Sequence, residues 1–258
     1  MSEEKNYMKN LIEEIKRKRE ISGVSEILIN ELINEYLRKN NIYLDNLKKR
    51  ERKIIIKEIR AELRKYTGRF QGNNKQRDEF LEKDKINDLL KTHKSTRERI
   101  EIYDDVKKII YGLDPSSILD LGCGLNPIAV AKRGIKYYAS DIKEDELKIM
   151  KKFFEKNKIE GETFFYDIRK GGLDLPEVDL CLLLKLLDII EEKGHKIAEN
   201  LLKNIKCKYF IVSFPTKKIS GKPMKKPERI WFEKILNRLG YYFKIEKREN
   251  EVFYIIKN

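Results

Sequence analysis

From Ser117 to the C-terminus, short runs rich in β-branched and aromatic residues alternate with stretches of helical periodicity. This alternation limits the possible folds more than any other feature. "SILDL", "KYYASD", "TFFYD", "VDLCLLL" and "KYFIVSF" read as strands, and most are apolar nearly throughout, as strands buried on both faces are. "KEDELKIMKKFFEKN" and "EEKGHKIAENLLKNI" read as the helices between them. Strands separated by helices pair in parallel through crossovers, so the pattern predicts an α/β, doubly wound sheet. The end breaks the pattern: after the helix "PERIWFEKILNRLG", the runs "YYFKIEKR" and "EVFYIIKN" are separated only by "ENE". A hairpin there places an antiparallel strand at the end of a seven-stranded sheet.

Upstream, apolar residues recur at helical spacing: Leu11, Ile12 and Ile15, then Ile27, Leu28 and Leu32, then Ile55, Ile59 and Leu63. The expected organisation is an all-α N-terminal domain over 1–110, followed by the α/β domain over 111–258. The 57 lysines and arginines exceed the 43 acidic residues and give a net charge of +14. An excess of that size suits a polyanion, either nucleic acid or an anionic membrane surface. No apolar stretch approaches the ~20 residues that span a bilayer, and the N-terminus lacks the apolar core of a signal peptide. A soluble, cytoplasmic protein is expected. Cys123, Cys181 and Cys207 are odd in number and widely spaced, which favours buried reduced thiols over disulfides or a metal site.

The turn after the first strand, "SILDLGCGLNP", sits where open α/β sheets bind ligands, beyond the carboxyl ends of their strands. Gly122 and Gly124 permit close backbone approach, and Pro127 suits the first turn of the next helix. Asp141 falls at the tip of the second strand, where a carboxylate can accept from both ribose hydroxyls, although Asp is also a favoured helix N-cap. Asp167 closes the third strand, within reach of an adenine amino group. Three such features at consecutive strand ends suit an adenosine-containing cofactor. A dinucleotide fingerprint would need a third glycine where Pro127 stands, and a P-loop would need Gly-Lys-Ser/Thr. S-adenosylmethionine has no pyrophosphate, so a shorter turn suffices for it.

"HKSTRERI" (93–100), "ILDLGCGLNP", "LLLKLLDIIE" (182–191) and "VSFPTKKISGK" (212–222), in this order, resemble the aminoglycoside-resistance 16S rRNA guanine-N7 methyltransferases. The resemblance runs from about residue 50 to 258. It implies a Rossmann-like class I methyltransferase sheet with an antiparallel terminal strand, behind a helical N-terminal domain. It assigns Arg97 to the cofactor carboxylate, a role suited to a guanidinium fork. The expected cofactor set is Arg97, Gly122, Cys123, Gly124, Asp141, Ile142, Asp167, Ile168 and Lys185. Where the family tends to carry a proline and then a glutamine, this chain has Asp188 and Lys193. After Ser-Phe-Pro-Thr it has Lys217, Lys218, Ile219, Ser220 and Gly221 in place of the usual arginine, serine, leucine and paired glycines.

The implied reaction asks little of the protein. Guanine N7 bears a free lone pair, so no proton must leave first, and orientation of two bound reactants carries the catalysis. No general base is assigned. His93 is a candidate for a direct role, weighed against capping or packing before a helix. The expected RNA-binding cations are Lys48, Lys49, Arg50, Arg60 and Arg64 on the N-terminal helices, and Lys217, Lys218, Lys222, Lys225 and Lys226 after the fifth strand. Phe214, Tyr103 and Trp231 could stack on a flipped base or fill the core. The expected partner is rRNA within the 30S subunit, bound by a monomer. The alternatives are methylation of another RNA or base atom, or a SAM-binding ribosome assembly factor.

Overall fold

The computed structural model describes residues 2–44, 47–67, 76–171, 174–191, 194–217 and 221–258. The chain forms two compact units, Met1–Gln71 with Ile142–Asp145, and Gly72–Asp141 with Glu146–Asn258.

The first unit holds the helices α1 (Ser2–Lys16), α2 (Glu26–Asn40) and α3 (Lys49–Thr67). Their apolar stripes form its core: Leu11, Ile12 and Ile15 of α1, Leu28, Ile29, Leu32 and Ile33 of α2, and Ile55, Ile56, Ile59 and Leu63 of α3. Ile27 was expected on that stripe but is exposed, one position off the buried face. The Ser25 hydroxyl caps α2 by accepting from Ile27 N, and Asn41 closes it in the left-handed conformation.

The second unit opens with α4 (Arg77–Glu82), α5 (Ile86–Lys91), α6 (Lys94–Arg99) and α7 (Tyr103–Tyr111). There follow β1 (Ser117–Leu121), α8 (Asn126–Val130), β2 (Lys136–Asp141), α9 (Glu144–Asn157), β3 (Gly161–Phe165), β4 (Val178–Leu184), α10 (Leu187–Ile190), α11 (Lys196–Asn204), β5 (Cys207–Pro215), α12 (Ile230–Leu239), β6 (Tyr242–Lys247) and β7 (Glu251–Lys257). Among the described residues the sheet has seven strands in the order β3-β2-β1-β4-β5-β7-β6. β1 to β5 pair in parallel; β7 runs antiparallel between β5 and β6. The C-terminal strand is therefore antiparallel as expected, but it lies one place in from the edge, which β6 occupies.

The parallel strands are buried on both faces, which accounts for their continuous apolar runs. Ile118, Leu180 and Leu182 point to a core closed by α4, α5, α7, α8 and α9. Leu119, Cys181 and Leu183 point to the opposite core, closed by α10, α11 and α12. Leu81, Leu89, Leu90, Val106 and Ile110 belong to the first of these cores, so the compact units divide near residue 71, not at the expected 110. Two elements are shorter than expected. β3 ends at Phe165, which puts Asp167 in the following loop. Within "EEKGHKIAENLLKNI", α11 starts at Lys196, directly after Gly194 and His195 at positive φ angles of 100° and 53°.

Candidate cofactor and nucleic-acid site

The turn from β1 to α8 is held open by two left-handed glycines, Gly122 at φ 64° and Gly124 at φ 50°. A side chain at either would be strained by the positive φ and would press on a neighbour. A Cβ on Gly122 would lie 2.8 Å from Leu186 Cδ1, and one on Gly124 would lie 2.8 Å from His93 Cε1. Cys123 N donates to Ser140 O at 2.9 Å, which ties the turn to the end of β2. Asp141, the last residue of β2, accepts from Gly124 N at 3.0 Å and remains partly exposed. The Asp141 carboxylate is thus fixed against the glycine turn by the backbone itself.

Beneath the turn lies a buried network absent from the expected set. Asp120 Oδ2 accepts from Asn126 Nδ2 and from Tyr137 Oη, both at 2.8 Å, and Tyr103 Oη donates to Asn126 Oδ1 at 3.3 Å. Burial pushes the Asp120 carboxyl up to about 6, against the two hydrogen bonds that pull it down. The signal was an aspartate inside an apolar strand, since a buried carboxylate requires partners.

The remaining expected contacts divide. Arg97 on α6 is exposed, and among the described residues its guanidinium has no hydrogen-bond or ion-pair partner, so it stands available to an anion. His93 is buried, with Nδ1 3.0 Å from Ser95 Oγ and its ring against Gly124, a packing position that shapes the turn. Cys123 is buried, burial pushes its thiol well up, and its Sγ donates to Gly124 O at 3.6 Å within the turn. Ile168 is core. Ile142 belongs to the helical unit, where its carbonyl accepts from Ser25 N at 3.0 Å.

Two residues are committed elsewhere. The Asp167 carboxylate accepts from Arg169 Nε at 2.8 Å and Nη2 at 2.7 Å, so adenine must compete with an arginine for it. The Lys185 ammonium lies 3.0 Å from Glu98 and 3.3 Å from Glu251, so it balances acid on the protein's own chain. Glu251 also binds Arg99 Nε at 2.8 Å and accepts from the Ser213 hydroxyl. Burial alone would raise its carboxyl. Arg99 and then Lys185 outweigh that and hold it below its ordinary value of 4.5.

The expected RNA-binding cations also sort by their partners. Lys48, Lys49, Arg50, Lys222, Lys225 and Lys226 are exposed. Arg60 is not free for phosphate: it donates to the carbonyls of Ile15 (3.2 Å) and Glu14, satisfying the C-terminus of α1. Arg64 pairs with Glu20 at 2.9 Å, and Lys217 with Glu249 at 3.0 Å. Lys193, Lys218, Ile219 and Ser220 lie outside the described residues. Phe214 and Tyr103 are core, while Trp231 is partly buried and stacks on His195 at 4.1 Å.

Residues 61–255 match the ribosomal RNA methyltransferase (FmrO) family, a stretch that holds the glycine turn, α6 and the lysine loop. The chain belongs to that family. A 16S rRNA (guanine(1405)-N(7))-methyltransferase of Frankia casuarinae is 26% identical over 180 residues, 67% of this chain; the match spans 63% of the Frankia protein, under two thirds of its length. One from Serratia marcescens is 30% identical over 182 residues, 67% of this chain and 70% of that protein. The solved structure of 16S rRNA methyltransferase RmtF in complex with S-adenosyl-L-homocysteine shares the fold, at a TM-score of 0.79 and 22% identity over 97% of this chain and 98% of that one. Among the described residues of this FmrO-family chain, no helix is long and apolar enough to cross a membrane.

Proposed function

We propose that this chain is an S-adenosylmethionine-dependent methyltransferase of small-subunit rRNA, acting on N7 of a decoding-site guanine in the 30S particle. The observation that carries the reading is the cradle at the carboxyl edge of the sheet. Two glycines in the left-handed conformation, each packed against a neighbouring side chain, lie beside a carboxylate hydrogen-bonded to the second of them. That donor set fits the cofactor: a flat backbone surface for its nucleoside, Asp141 for the ribose hydroxyls, and the exposed Arg97 guanidinium for the methionine carboxylate. When bound, the cofactor supplies a sulfonium methyl group to a nucleophile.

The protein's part is orientation. Gly122 and Gly124 set the depth of the cradle, and Leu186 and His93 bound it on either side. Asp120 and Asn126 hold the turn's geometry from beneath. No side chain is asked to remove a proton, because guanine N7 presents its lone pair in the neutral base. The exposed lysines 222, 225 and 226, in the connection after β5, supply phosphate contacts that position the backbone without reading sequence. The helical N-terminal domain, with Lys48, Lys49 and Arg50, adds RNA affinity and widens the footprint beyond one hairpin. A monomer suffices for this scheme.

The test is methyl transfer from labelled cofactor to assembled 30S subunits and to naked 16S rRNA, with mass-spectrometric mapping of the product. The expected result is a single 7-methylguanosine on the 30S substrate. Binding of 30S and cofactor with no methyl transferred to either RNA would leave a cofactor-binding assembly factor as the better reading.

A further inference from the structure

Two connections leave the carboxyl edge of the sheet on the same side of β1, one after β4 and one after β5. The first carries α10, and the second is the loop that holds the exposed Lys222, Lys225 and Lys226. Arg229 ends that loop. Its Nε donates to both Asp188 carboxylate oxygens at 3.1 and 3.2 Å, and its Nη2 donates to Oδ2 at 2.6 Å. Nη2 also donates to Pro215 O at 3.3 Å, and Nη1 donates to Pro227 O. The guanidinium carbon sits 5.1 Å from the Phe214 ring centroid. One side chain therefore grips the end of β5, the end of the loop and the neighbouring connection together.

The loop is closed at its base as well. Lys217 and Pro223 form an antiparallel bridge, and Met224 N donates to Thr216 O at 2.8 Å. Glu228 pairs with Lys247 of β6. With Asp188 28% and Arg229 11% exposed, the pair is shielded enough to hold one geometry, yet ion pairs near a surface add little to stability. Its consequence is positional: a planar fork bonded on three sides fixes the loop's angle to the end of β4.

We propose that Asp188 and Arg229 are positioning residues for the RNA substrate: they set where the loop lysines meet phosphate relative to the methyl-transfer point, and touch neither cofactor nor target base. This role rests on the methyltransferase reading above. It separates substrate engagement from cofactor binding, since the Asp188 carboxylate is spent on Arg229 and Asp141 and Arg97 lie on other elements.

Steady-state methyl transfer to 30S subunits by the wild type, Asp188→Ala, Asp188→Glu and Arg229→Ala tests it, with cofactor affinity measured by calorimetry. Asp188→Ala is expected to raise KM for 30S about tenfold, the size of one charge-assisted contact, with kcat and cofactor Kd within about twofold of wild type. Asp188→Glu keeps the ion pair and is expected to restore KM to within about threefold of wild type. A variant combining Asp188→Ala with Arg229→Ala, assayed in the same way, is expected to be no worse than Arg229→Ala, because both changes open the same clamp. A wild-type KM in Asp188→Ala would overturn the clamp alone. So would a fall in cofactor affinity that tracks the rise in KM, the mark of a general structural role. A wild type that transfers no methyl to any RNA would overturn the methyltransferase reading, and this role with it.

Discussion

Replacing Glu251 with Gln removes the one buried negative charge between two buried cations while keeping the side chain's shape. Glu251 is 0% exposed, and the side chains of Arg99 and Lys185 are 2% and 5% exposed, at 2.8 and 3.3 Å from it. With Glu98 included the group is neutral, two cations against two carboxylates; the variant leaves it at +1 in a desolvated place. Breaking a buried pair by removing one partner costs ~3 to 5 kcal/mol. The lower end applies here, because Lys185 keeps the half-exposed Glu98 at 3.0 Å and only Arg99 is left without an acid. The expected loss is therefore about 3 kcal/mol at pH 7. Trp231 is the only tryptophan and lies in the sheet unit, so urea unfolding followed by its fluorescence reports on the affected unit. The pH dependence has a definite sign. The folded-state pKa of Glu251 is depressed below 4.5, so its contribution is fully present above 4.5 and is lost as pH falls through the folded value. The wild type's advantage should shrink accordingly in acid. A loss below about 1 kcal/mol at pH 7, or an advantage unchanged in acid, would mean that these charges are solvated, and the reasoning would fail.

Asp120→Asn should behave in the opposite sense. Because burial raises that carboxyl from 3.8 to about 6, its proton-linked stability is complete below 3.8 and is lost as pH rises through about 6. The variant should gain about 2 kcal/mol relative to wild type between pH 4 and pH 7 in denaturant titrations, and a constant difference would refute the assignment. Lys185→Met should lower stability while cofactor Kd stays within about twofold by calorimetry; a large loss of affinity would return Lys185 to the cofactor set. Replacing Lys222, Lys225 and Lys226 together with Ala should flatten the salt dependence of RNA binding by ~0.7 to 0.9 log units of slope per lost phosphate contact. An unchanged slope would make those lysines a solvated turn.

What could be read from the sequence was what local chemistry decides. β1, β2 and β4 are apolar because both faces of the sheet are covered, and Gly122, Gly124 and Asp141 answer to the backbone geometry of one turn. Helical periodicity shows that a face is buried but not against what. Residues 77–111 therefore looked like a continuation of the N-terminal helices, although Leu89, Val106 and Ile110 pack under the sheet. Arg60 and Lys185 were read as available cations because their partners, the α1 carbonyls and Glu251, lie far along the chain.

Glu251 shows most clearly why such partners were hidden. In "ENE" it looks like a solvated turn residue, and Arg99, to which it is bound, is 152 residues away. Its burial follows from the strand order. The parallel strands end at the carboxyl edge, so an antiparallel strand inserted among them must begin there, and Glu251, the first residue of β7, stands opposite Pro215 at the end of β5. A charge at that position is delivered to the edge where the cradle is built. There it collects Arg99 from α6, two residues after the proposed carboxylate-binding Arg97, and Lys185 from the end of β4. The hairpin that looked like a mere terminus in the sequence thus supplies the acid that anchors the helix bearing Arg97.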